Sequence, residues 1–194
     1  MTKVFVSGSM KIRKLDEQVL RRLNNILDSE FEVIVGDADG VDSSVQSYLK
    51  THGANHVQVY CTGTKPRNNL GSWKVKNITT SLSPGTREYF TAKDKQMAED
   101  CDFGLMIWDS RSTGTLSNAI ELIKKKKKAV VFVNKVREFI SLKDTGDLEA
   151  LLSYMAPTAL EKAEEKLGLS KTLDSMKFEQ ADMFGAQQVA AGDV

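Results

Sequence analysis

Three short stretches carry the side chains most able to do chemistry. Ser7-Gly8-Ser9 is a small-residue turn whose backbone can be approached closely by a phosphate or a ribose. Gly36-Asp37-Ala38-Asp39-Gly40-Val41-Asp42 places three carboxylates between and just after two glycines. Asp109-Ser110-Arg111-Ser112-Thr113-Gly114-Thr115 is rich in hydroxyls and ends in a Gly-Thr that opens a helix. Free N–H groups at such a helix start suit a phosphate. The carboxylates of Asp37, Asp39 and Asp42 repel a phosphate; they suit ribose hydroxyls, base amines or a divalent cation. The spacing has neither the length of a calcium loop nor its closing glutamate, so no metal is expected. A simpler reading has Asp42 capping a helix while Asp37 and Asp39 face water. A fourth stretch, Thr62–Thr91, holds two prolines, Asn68, Asn69, Trp73 and Asn77, and basic Lys65, Arg67, Lys74, Lys76 and Arg87. It shows no periodicity and reads as a lid or substrate loop, with Arg67, Trp73 and Arg87 as its candidate contacts; the alternative is a surface insertion.

Regular elements must bring these stretches together. Lys3–Ser7, Phe31–Val35, Val57–Tyr60, Phe103–Trp108 and Ala129–Asn134 are short apolar runs, rich in β-branched and aromatic residues, that read as strands. Helical apolar spacing covers about Leu15–Leu27, Val45–Lys50 after a cap at Asp42 or Ser43, Thr91–Cys101 and Leu116–Ile123. Strand and helix alternate, so the expected fold is α/β: a Rossmann-like three-layer domain with a mainly parallel sheet of about five strands. Ligands of such sheets bind outside the strands' carboxyl ends. Residues 1–134 form the expected nucleotide-binding domain. Residues 135–169 add a short edge strand at Phe139–Leu142 and small helices at Asp147–Tyr154 and Pro157–Leu167. Residues 170–194 are polar and aperiodic and read as a flexible tail.

Composition excludes some partners. The chain has 194 residues, 41% hydrophobic and 27% charged, with a net charge of +1. Any contact with nucleic acid must come from a local patch, because there is no global field to supply it. The Lys124–Lys128 run follows a helix and reads as a solvated end complementing the helix dipole. No apolar run reaches membrane-spanning length, so no membrane contact is expected. Cys61 and Cys101 lack metal-ligand spacing and read as free thiols of a cytoplasmic protein.

The order of motifs is the strand and SGS turn, GDADGVD, a helix ending Met97-Ala98-x-x-Cys101-Asp102, FGLMIWD, then STGT and a lysine-ended helix. As a set, over about Lys3–Asn134, it resembles the SLOG superfamily of Rossmann-like domains. That group includes the DprA-like DNA-processing proteins and the LOG phosphoribohydrolases; the nucleoside deoxyribosyltransferases are similar in plan. The resemblance implies a nucleotide or nucleoside ligand, with no separate cofactor, and attack on an N-glycosidic bond in the enzymatic branches. It places Ser7, Gly8, Ser9, Gly36, Asp37, Asp39, Gly40, Asp42, Asp109, Ser112, Gly114, Thr115 and Asn118 at the ligand. LOG proteins carry a catalytic glutamate where Ser117 and Asn118 stand here. Asp94, which resembles an aspartate of the deoxyribosyltransferase pattern, and Glu121 are the substitute carboxylates. A DprA-like scaffold would instead set Arg67, Lys74 and Lys76 on DNA phosphates. Related folds often dimerise, so a homodimer is a further expectation.

The tail holds Gln180-Ala181-Asp182-Met183-Phe184, which resembles the pentapeptide that binds the bacterial DNA polymerase sliding clamp. Met183 and Phe184 would fill a pocket, with Gln180 orienting them and Asp182 completing the motif. The alternative is a non-enzymatic clamp-binding protein that competes with replication proteins for the clamp.

Overall fold

Alternate residues of each inner strand go to opposite cores, as a parallel sheet covered on both faces requires. The structure, a computed structural model, describes residues 1–178. Its sheet contains β1 (Lys3–Gly8), β2 (Glu32–Val35), β3 (Val57–Thr62), β4 (Lys74–Ile78), β5 (Phe103–Trp108), β6 (Lys128–Val133) and β7 (Glu138–Leu142). The order is β4-β3-β2-β1-β5-β6-β7, parallel throughout except for antiparallel β7. Val4, Val6, Val33, Val35, Val59, Leu105 and Ile107 belong to one core, shared with α1 (Glu17–Asp28) and α2 (Val41–Thr51). Phe5, Ile34, Tyr60, Met106, Trp108 and Val131 belong to the other, under α3 (Arg87–Asp100), α4 (Thr113–Lys124), α5 (Thr145–Leu152) and α6 (Pro157–Leu167). The three-layer Rossmann-like architecture is therefore as expected.

The sheet is larger than the five strands expected. β7 is the short edge strand anticipated at Phe139–Leu142. β4 lies inside the stretch expected to be aperiodic. Its register, Gln58↔Lys74 to Thr62↔Ile78, makes it an edge strand against β3. Edge strands bury little and carry charge, so β4 shows a weak apolar signal. α3 begins at Arg87, capped by Thr86, rather than at Thr91. The aperiodic tail expected from residue 170 is not found there: residues 169–178 are helical. Leu169 and Met176 are buried in the second core and Leu173 packs against it. Three apolar residues spaced four and three apart are one helical face, too short a pattern to stand out among polar neighbours.

β1 pairs with β2 on one side and β5 on the other, and the chain winds away from β1 in both directions. The loops after β1, β2 and β5 therefore leave the same edge of the sheet, at its topological switch point.

Candidate functional site

Ser9 and Asp109 meet at the switch point. The Ser9 hydroxyl donates to Asp109 Oδ1 at 3.0 Å and accepts from the Asp109 N–H at 3.1 Å. Asp109 Oδ1 also accepts from the Arg111 and Ser112 N–H groups, which wraps the loop into a tight turn through Ser110 (φ 61°). Ser112 caps α4: its Oγ accepts from Thr115 N and from Thr115 Oγ1. Asn118 lies one turn further, buried, donating to Ser7 Oγ at 3.2 Å. The β1 and β5 loops are thus tied to each other through hydroxyls and one carboxylate. An open cleft of about 510 Å³ lies over this helix start, lined by Asp109, Ser112, Thr113 and Gly114 on one side and by α6 on the other. Lys11, Arg111, Lys162 and Lys166 rim it, all exposed, and none makes an ion pair among the described residues. Four cations beside a helix N-terminus form a positive concavity.

The β2 loop builds something different. Asp42 does not cap α2. The helix starts at Val41, two residues earlier than an Asp42 cap would start it, with Gly40 in the cap position and no side-chain cap bond. Val41 is fully buried. Starting the helix there turns Asp42 inward, where it is only 3% exposed. Gly40 sits at φ 78°, and a Cβ on it would lie 2.3 Å from the Met10 carbonyl oxygen, so both backbone and packing demand glycine. Gly36 is needed for close approach: its missing Cβ would fall 2.3 Å from Asp42 Oδ2 and 2.6 Å from Lys93 Nζ.

Lys93 is the centre of this second cluster. It is 4% exposed. Its Nζ lies 2.7 Å from Asp94 Oδ1 and 3.9 Å from both Asp37 Oδ1 and Asp42 Oδ2. Burial works against its charge, yet Asp94, Asp42 and Asp37 together hold it above the ordinary lysine value. Asp37 is also gripped by Arg67, whose Nη2, Nε and backbone N–H all donate to its carboxylate. Burial pushes Asp37 up, but Arg67 and Lys93 outweigh it and keep the group below the usual carboxylate range. Asp42 has the opposite balance. Burial raises it to about 6, Lys93 offsets only part of that, and the charges of Asp94 and Asp37 add to it. Its Oδ2 accepts from Ala38 N at 3.3 Å, while Oδ1 has no hydrogen-bond partner.

The segment before β4 is pinned over this cluster. Asn68 donates to the Asp37 carbonyl and to exposed Asp39, and Gln46 joins Gly36, Asn68 and Leu70. Arg87, at the start of α3, donates to Thr113 Oγ1 at 3.4 Å and so reaches the α4 end of the edge. Arg67 and Arg87 therefore come to the site. Trp73 does not: it packs with the α1/α2 core and donates to the Ala54 carbonyl. Asp94 joins the cluster through Lys93. Glu121 is eight residues into α4, about 12 Å along its axis from Thr113, and acts on Lys125 instead. Gln180, Asp182, Met183 and Phe184 lie outside the described residues. Sequence reasoning missed Lys11, Lys93, Lys162 and Lys166. A lone lysine in a polar helix carries no burial signal, and the two α6 lysines reach the cleft only because α6 packs beside α4. Among the described residues no cluster has metal-binding geometry, and no helix is long and apolar enough to cross a membrane.

No protein family's sequence profile matches the chain, and no curated protein matches it in sequence. A solved structure does share its fold: DNA processing protein A from Helicobacter pylori, a single-stranded DNA-binding protein. The TM-score is 0.55 at 16% identity, over 86% of this chain and 80% of that one.

Proposed function

We propose that this chain binds single-stranded nucleic acid along the carboxyl edge of its sheet, as a DNA-processing scaffold. The observation that carries the reading is the cleft over the α4 N-terminus, where Lys11, Arg111, Lys162 and Lys166 rim the start of the helix. Phosphates recognised this way give sequence-independent, salt-dependent affinity. The shared fold with a protein that binds single-stranded DNA supports it. Arg67, Lys74 and Lys76 differ in availability. Arg67 is held by Asp37 and Lys76 by Asp100, at 2.7 Å and 2.6 Å, which leaves only Lys74 of that set unpaired among the described residues. The test is anisotropy of a labelled oligodeoxythymidine 20-mer against salt. Wild type should lose affinity as salt rises. Lys162→Glu/Lys166→Glu should bind more weakly, with its slope reduced by about 1.4 if each lysine covers one phosphate. Unchanged affinity and slope in the double variant would sink the reading.

One observation favours a second reading, binding of a nucleotide with cleavage or exchange of its N-glycosidic bond. Asp42, raised to about 6 and with one oxygen unpartnered, sits beside Lys93 and Asp94. A carboxyl poised near neutrality can hold or give a proton to a leaving base. Asp94 and Asp42 carry this reading; Glu121, at the far end of α4, does not. Base release from nucleotides, abolished in Asp94→Asn, is its readout. Recruitment to the sliding clamp through Gln180–Phe184 completes the proposal. It rests on the motif and is checked by clamp binding of Met183→Ala/Phe184→Ala.

A further inference from the structure

Phe90 is an aromatic side chain left 38% exposed on α3, one turn after Arg87. The Arg67 guanidinium lies 4.8 Å from its ring centroid, and Tyr89 meets it edge-on at 5.4 Å. Arg67 is not a mobile surface cation. Its fork is locked by two bonds to the buried Asp37 carboxylate, from Nε and Nη2, and its backbone N–H adds a third, so its plane is fixed before any ligand arrives. The guanidinium covers one face of the ring, so the pair is a preorganised guanidinium–π stack, with the exposed part of Phe90 left to meet a ligand. It stands about 5 Å along α3 from Arg87, which itself touches Thr113 at the start of α4.

We propose that Phe90 and Arg67 form a stacking platform for a nucleobase, continuous through Arg87 with the phosphate cleft at α4. The inference rests on the nucleic-acid reading above and adds the half of the ligand that the cleft does not explain. Cations alone recognise a backbone; an aromatic ring beside an arginine plane recognises the bases attached to it, with little regard to sequence. The nearby carboxylates of Asp37 and Asp42 would repel phosphate, so the strand's bases rather than its backbone face this end.

The experiment compares the full chain's binding to two labelled 20-mers with equal numbers of phosphates, oligodeoxythymidine and a strand of abasic sites. Wild type should prefer the thymidine strand. Phe90→Ala should bind that strand roughly 5- to 150-fold more weakly, the range one stacked base supplies. It should bind the abasic strand as wild type does, with the salt slope unchanged. Phe90→Tyr should restore the preference. The exposed ring makes little core contact, so the Phe90→Ala melting temperature should match wild type. If Phe90→Ala keeps the full preference for bases, the platform is overturned and the phosphate cleft stands. If wild type binds neither strand, the nucleic-acid reading falls and the platform with it.

Discussion

Replacing Asp42 by asparagine should change how stability depends on pH. Unfolded, the carboxyl titrates near its ordinary 3.8; folded, burial moves it to about 6. Between those values the folded state binds more proton than the unfolded state. The contribution of this group is therefore fully present below pH 3.8 and is lost as pH rises through 6. Two units at about 1.4 kcal/mol each put the whole span near 3 kcal/mol. About 2 kcal/mol of it falls between pH 4.5 and 7.5. Asparagine has nearly the same shape, can still accept from Ala38 N, and does not titrate. Its stability relative to wild type should rise by about 2 kcal/mol from pH 4.5 to 7.5. Any constant offset from the amide's own hydrogen bonding is common to both pH values, and shifts at groups away from the Lys93 cluster are common to both proteins. Urea unfolding followed by the fluorescence of fully buried Trp108 measures the difference. A variant-minus-wild-type difference that stays flat across this range would refute the balance drawn around Lys93, with burial outweighing the lysine at Asp42.

The glycines separate in the same way. Gly40→Ala forces a left-handed residue against the Met10 carbonyl and should cost about 1–3 kcal/mol in melts. Gly114→Ala meets only Ser112 Oγ at 3.9 Å and should leave the melting temperature unchanged or higher. Met176→Ala removes a buried side chain of the 169–178 helix and should cost at least about 2 kcal/mol by denaturant titration. No loss there would show that the helix is not docked on the second core.

The fold's centre was legible in the sequence because inner parallel strands are buried on both faces. Runs such as Val33-Ile34-Val35 and Leu105-Met106-Ile107 have no choice of environment, and their order alone puts three loops on one edge. Ser9, Asp109, Ser112 and Thr115 follow from that, since each sits within three residues of a strand end or a helix start. The margins were not legible. β4 is half-exposed with two lysines, and residues 169–178 bury one sparse face; both owe their existence to partners far along the chain, β3 and the second core.

The chemistry divided along the same line. Local sequence determined that Gly36, Gly40 and three aspartates share one loop. It could not determine which aspartate is paired, since Arg67 reaches Asp37 from 30 residues away and Lys93 enters from another helix. Asp42 reads as a cap because capping is a local bond; it is buried because Val41 must be, and two residues of shift turn the carboxylate from water to core. Lys162 and Lys166 belong to the cleft only through the packing of α6 beside α4. Propensity and spacing act over a few residues and decide what a strand or a turn is. The charge balance of the site is set by groups distant in sequence, held close only after the layers have closed, and that balance the tertiary structure alone decides.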